Sequence, residues 1–168
     1  VTQRVIALGF DPGLATTGYG VVRRSSTGWE AVDGGTIETP PATARATRLQ
    51  KIHEEACALI QAYHPDGVAI EEVYMAKNTR TAMVTAETRG VLLLAAADVP
   101  IYCYTPLQVK KQITGYGRAN KKQVQLMVKR LLHLAKVPQP DDMADGLAIA
   151  LCCLIELSGV QAEKHAYL

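Results

Sequence analysis

The chain has 168 residues, 18 Lys and Arg against 16 Asp and Glu, 48% hydrophobic residues and 20% charged ones. That is one domain with a proper core rather than two, with the composition of a folded globular protein and not of a disordered or fibrous one. The longest strongly apolar run, residues 147–155, is far short of the roughly 20 residues a membrane span needs. No signal peptide is visible at the N-terminus, so a soluble, cytoplasmic protein without a membrane partner is expected.

The near-neutral net charge hides an asymmetry. Residues 105–136 hold eight Lys or Arg and no Asp or Glu, which leaves the rest of the chain at −6. One basic stretch on an otherwise acidic protein points to a surface that faces a polyanion. Cys57, Cys103, Cys152 and Cys153 lie inside apolar patterns with no metal-ligand spacing, and are expected to be reduced thiols. Adjacent on one helix, Cys152 and Cys153 are expected to face the core and a groove respectively.

In chain order, the apolar run at residues 5–10 predicts a buried strand that delivers Asp11. Pro12 and Gly13 turn the chain, and residues 18–24 return as a second strand. A turn at 25–28 leads to a third strand over 29–37, completing an antiparallel meander. Apolar residues Leu49, Ile52, Ala56, Leu59, Ile60 and Tyr63 recur every three or four positions, which predicts a helix over 43–63. His64-Pro65 stops it, and residues 68–70 form a short strand ending in Glu71-Glu72. A second long helix is predicted over 78–97, then a strand over 101–104. Thr105-Pro106 is a hydroxyl cap followed by proline at the first helical position, opening a short helix that stops at Thr114-Gly115. A basic helix follows over 121–134, and a last helix over 142–157. The order β-β-β-α-β-α-β-α-α-α predicts an α/β domain over 1–158, with a five-stranded mixed sheet, helices on its faces and a short tail at 159–168.

Carboxylates sit where such a fold gathers them. Asp11 ends the first strand, Glu71 and Glu72 end the fourth, and Asp142 and Asp145 open the last helix. Neighbours on a strand point to opposite faces, so only one of Glu71 and Glu72 can join Asp11. Three-residue spacing sets Asp142 and Asp145 on one helix face. Asp141 beside them is a natural N-cap, and acids in a first turn favour the helix dipole. Converging carboxylates cannot all ionise near neutral pH without a cation. Hard oxygen ligands suit Mg²⁺ or Mn²⁺. Two such ions about 4 Å apart would clamp the attacking and leaving oxygens of a phosphodiester displacement, and the basic stretch would hold the backbone.

The segments Leu8-Gly-Phe-Asp-Pro-Gly13, Thr17-Gly-Tyr-Gly-Val21, Ala69-Ile-Glu-Glu-Val-Tyr-Met-Ala-Lys-Asn78, Ala86-Glu-Thr-Arg-Gly90, Gln108-Val-Lys110, Thr114-Gly-Tyr-Gly-Arg-Ala-Asn-Lys-Lys-Gln-Val-Gln125 and Ala144-Asp-Gly-Leu-Ala-Ile-Ala150 together resemble the bacterial RuvC family of Holliday-junction resolvases. The resemblance spans nearly the whole chain. It implies an RNase H-like fold, a homodimer, a divalent metal (Mg²⁺ or Mn²⁺, two per site during cleavage), and paired nicks in opposite strands of a four-way junction. A branch-migration complex of RuvA and RuvB type is the implied partner.

By the same resemblance Asp11, Glu71, Asp142 and Asp145 are the catalytic, metal-binding carboxylates, with Glu71 preferred over Glu72. The Asp142 position is a His in some members, which leaves Asp141 as an alternative ligand. Tyr74, Lys77, Lys110, Arg118, Lys121 and Lys122 are the implied DNA-binding residues, Tyr74 standing where the family often carries a stacking Phe. Asn120 stands at a position often acidic in the family. Two rivals remain at this point: a junction-binding protein without chemistry, and an actin- or sugar-kinase-type ATPase, whose Asp-x-Gly loop is similar but which needs a second domain. The homodimer interface is expected on the helix over 78–97, at Leu93 and Leu94.

Overall fold

The structure is a computed structural model and describes residues 4–72 and 79–159. Strands β1 (Ile6–Asp11), β2 (Thr16–Ser25) and β3 (Gly28–Glu38) form the antiparallel meander. β4 (Gly67–Glu71) and β5 (Ile101–Tyr104) then add parallel strands beyond β1, giving the order β3-β2-β1-β4-β5. The helices are α1 (Arg45–Tyr63), α2 (Thr79–Ala95), α3 (Pro106–Thr114), α4 (Lys121–Leu131) and α5 (Asp141–Leu157). The expected mixed sheet and element order are both present.

Period-two alternation splits the core. Leu8 and Phe10 of β1 and Val68 and Ile70 of β4 pack with Ile52 and Ala56 of α1 and Leu92 of α2. Ala7 and Ala69 point the other way, against α5. That helix is buried from Leu147 through Ile155, because the sheet covers one side and α3 and α4 the other. A helix apolar all round is stable only when enclosed in this way. Cys152 and Cys153 are therefore both fully buried, which corrects the expectation that one of them faces a groove.

Two absent side chains set how close α5 comes to the sheet. A Cβ on Gly18, the β2 partner of Asp11, would stand 1.9 Å from the Asp142 carbonyl oxygen. A Cβ on Gly146 would stand 2.5–2.7 Å from the Tyr19 backbone. Glycine here permits backbone-to-backbone packing, which draws the first turn of α5 to the end of β1.

Several helix ends differ from expectation by one to three residues, and two of these bear on the site. α4 stops at Leu131, followed by a turn in which His133 takes a left-handed φ of 52°, rather than running to 134. α5 begins at Asp141, with Pro140 as its N-cap and no side-chain cap bond, so Asp141 is not the cap. Pro140 sits in extended geometry as the cap, which leaves Asp141 as the first residue inside the helix. Thr105 does cap α3, in a reciprocal box with Gln108, as its sequence predicts.

Candidate active site

Adjacent parallel strands bring Asp11 and Glu71 side by side. Phe10 pairs with Ile70 in register, so the next residue of each strand lies at the same edge of the sheet. The Glu71 side of β4 is the Ala69 side, facing α5. Beyond it, the Glu72 amide donates to the Tyr104 carbonyl and extends the ladder. The β1–β2 turn is closed by the buried Thr17 hydroxyl, which donates to the Gly13 carbonyl at 2.8 Å. Across from these strand ends, α5 supplies Asp142 from its first turn and Asp145 from the start of its second.

One carboxylate oxygen from each of Asp11, Asp142 and Asp145 lies within 4.8 Å of the others. Glu71 is outside that triad yet lines the same cavity, of about 220 Å³, with Asp11, Asp145, Lys110 and Lys121. Burial, and then the charges of Asp145 and Asp142, push the Asp11 carboxyl up to about 7 against the opposing pull of Lys121. Burial, then Asp11 and Asp145, push Glu71 to about 8, opposed by Lys110 and Lys121. Burial also raises Asp145, with the Lys121 hydrogen bond pulling the other way. So much negative charge in a small, partly dry space, on oxygen donors alone, fits a hard divalent cation.

Lys121 is the first residue of α4, where Asn120 caps the helix in a reciprocal box with Gln123. An acidic residue at 120 could make the same cap, so Asn120 keeps that local function. The Lys121 ammonium lies 2.9 Å from Asp145 and 3.5 Å from Asp141. Its pKa rises although burial opposes this, because Asp145 and Asp141 bond to the charged form. Lys110 is half-buried in the cavity wall, whereas Arg118 and Lys122 are exposed and outside the cavity lining. Tyr74 and Lys77 lie outside the described residues.

The Asp141 carboxylate is not one of the three that meet, and it accepts a hydrogen bond from Gln125 at 2.9 Å. Gln125 is not among the expected site residues. The available signal was its position one turn after Lys121 on the helix face that also carries the buried Val128. Gly18 was also missed as a site residue, since its role depends on a contact with an element 124 positions away.

The family model described as crossover junction endodeoxyribonuclease RuvC matches residues 7–153. A protein of that description from Caldicellulosiruptor saccharolyticus is 47% identical over 160 residues, covering 94% of this chain and 96% of that one. One from Alkaliphilus metalliredigens is 51% identical, over 88% of this chain and 92% of its own. The structure of Thermus thermophilus RuvC superposes with a TM-score of 0.85 at 33% identity, over 92% of this chain and 97% of that chain. The same protein in complex with Holliday junction substrate gives 0.85 over 92% and 96%. The yeast mitochondrial Holliday junction resolvase, at 12% identity and a TM-score of 0.58, shares the fold.

Proposed function

This chain belongs to the RuvC family of crossover junction endodeoxyribonucleases, its activity is the resolution of Holliday junctions, and we propose that Asp11, Glu71, Asp142 and Asp145 carry that activity with divalent metal. The observation that supports this most is the meeting of Asp11, Asp142 and Asp145 oxygens within 4.8 Å, beside Glu71 and two lysines. An ATPase reading of the Asp-Pro-Gly loop is displaced by a family match that runs through all five strands.

The four carboxylates would hold Mg²⁺ or Mn²⁺, two ions during cleavage, whose chemistry is to acidify a water nucleophile and offset charge on the scissile phosphate. The protein's own groups do the rest. Lys110 and Lys121 reach into the cavity from α3 and α4, where their ammonium groups would hold the phosphates on either side of the cut. The exposed Arg118 and Lys122 extend that positive surface, with Tyr74 and Lys77 as further DNA contacts. Glu71, pushed up to about 8 chiefly by burial, holds a proton at neutral pH that it would give up on binding a cation. Cleavage of opposing strands leaves 5′-phosphate and 3′-hydroxyl ends.

A four-way junction presents two symmetry-related strands, and an isologous homodimer would give each its own site. Met83 and Leu94 of α2 are 63% and 67% exposed, which supports α2 as the dimer face. A branch-migration complex of RuvA and RuvB type is the proposed working partner. The cytoplasm is the proposed location, and among the described residues no helix is long and apolar enough to cross a membrane. The test is a synthetic four-way junction with Mg²⁺: Asp11→Asn is expected to bind it and not cut it, and cutting by that variant at the wild-type rate would remove the carboxylate mechanism.

A further inference from the structure

Asp141 has no capping bond and no place in the carboxylate triad, yet both of its oxygens are engaged. Oδ1 accepts from the Gln125 Nε2 at 2.9 Å, and Oδ2 lies 3.5 Å from the Lys121 Nζ. Gln125 is only 9% exposed, one of the few buried polar side chains among the described residues. A buried amide is costly unless its hydrogen bonds are made, and this one donates to Asp141 from one turn beyond Lys121 on the same helix. Lys121 by contrast has a 52% exposed side chain on a four-carbon stem with many rotamers. Asp145 alone gives it one contact, about which it can swing. The second contact, to Asp141, is itself fixed by a buried partner, so the ammonium is held from two sides.

We propose that Asp141, anchored by Gln125, is a positioning residue that steers the Lys121 ammonium to the mouth of the carboxylate cluster, where it meets the junction phosphate. This rests on the reading of the cavity as the cleavage site. It also gives Asp141 a role distinct from substituting for Asp142 as a metal ligand.

The test is single-turnover cleavage of a synthetic four-way junction by the full chain with Mg²⁺, alongside junction binding in Ca²⁺. Loss of the 3.5 Å ion pair that steadies the Lys121 ammonium predicts that Asp141→Ala cuts about tenfold more slowly with its junction affinity unchanged within about twofold. Gln125→Met, which frees Asp141 without removing its charge, is expected to slow cutting by about threefold. In a Lys121→Ala background, adding Asp141→Ala is expected to change the rate by less than about twofold, since residues acting through one another are not additive. Full independent losses in that double variant, or wild-type cutting by Asp141→Ala, would overturn the proposal. Should the alanine variant fail to fold, Asp141→Asn keeps the size and removes the charge, and wild-type cutting by it would equally overturn the proposal. If the wild-type chain itself does not cut the junction, the reading of the site fails, and the role of Asp141 fails with it.

Discussion

The crowding of charge around Asp11 predicts that removing its carboxylate stabilises the protein while disabling it. In the folded chain this group rises from its ordinary 3.8 to about 7, chiefly through burial and then through Asp145 and Asp142. A group raised in the folded state contributes stability that is full below pH 3.8 and is lost as the pH climbs through 7. The loss accumulates at about 1.4 kcal/mol per pH unit across that window and reaches roughly 4 kcal/mol at about pH 8. Asp11→Asn escapes it. Relaxation of Lys121 and Asp145 around a charged Asp11 will take back part of the gain, so at least about 2 kcal/mol is expected at about pH 8, and less at about pH 5. For a domain of this size that is a rise in Tm of roughly 4–8 °C. The assay is thermal unfolding of both proteins in EDTA at the two pH values, followed by titration with Mg²⁺. Ligand that binds only the folded state raises Tm, so Mg²⁺ should lift the wild type and do much less for the variant. A variant no more stable than wild type at about pH 8, or a gain larger at about pH 5, would refute the electrostatic reasoning.

Two further predictions concern packing and assembly. Gly18→Ala would press a methyl group against the Asp142 carbonyl at 1.9 Å, where every near atom is Asp142 backbone; α5 must shift, and the variant is expected to lose at least about 2 kcal/mol of stability, read by urea unfolding, along with most of its cutting. Leu94→Asp changes a side chain that is 67% exposed, so monomer stability should move by less than about 0.5 kcal/mol. Light scattering should nonetheless find a monomer in place of a dimer, and an intact dimer would move the interface off this face of α2.

Much of this was legible in the sequence because burial writes itself as periodicity. An unbroken apolar run marked β1, spacing of three and four marked α1, and Thr105-Pro106 marked the start of α3 to the residue. Asp11, Asp142 and Asp145 could be gathered because strand ends and a helix start converge in an α/β fold of this order. What could not be read depends on contacts distant in sequence. Asp141 has every local mark of an N-cap, yet Pro140 takes that position and the carboxylate is drawn off by Gln125 from α4. Cys153 was expected at a groove because nothing local reveals that α3 and α4 close over α5. Gly18 reads as an ordinary strand glycine until the backbone of α5 lies against it. Strand parity left Glu71 and Glu72 open and resemblance chose Glu71; the structure sets Glu71 at the cavity wall just outside the closest cluster.

The most direct test of the account is to map nicks on all four strands of a synthetic junction cut by the wild-type chain with Mg²⁺, and then to add DNA ligase. The account predicts two nicks at symmetry-related positions in opposing strands, each sealed by ligase without prior treatment, and none in EDTA. Cleavage that persists in EDTA, or nicks that ligase cannot seal, would contradict metal-dependent hydrolysis at Asp11, Glu71, Asp142 and Asp145.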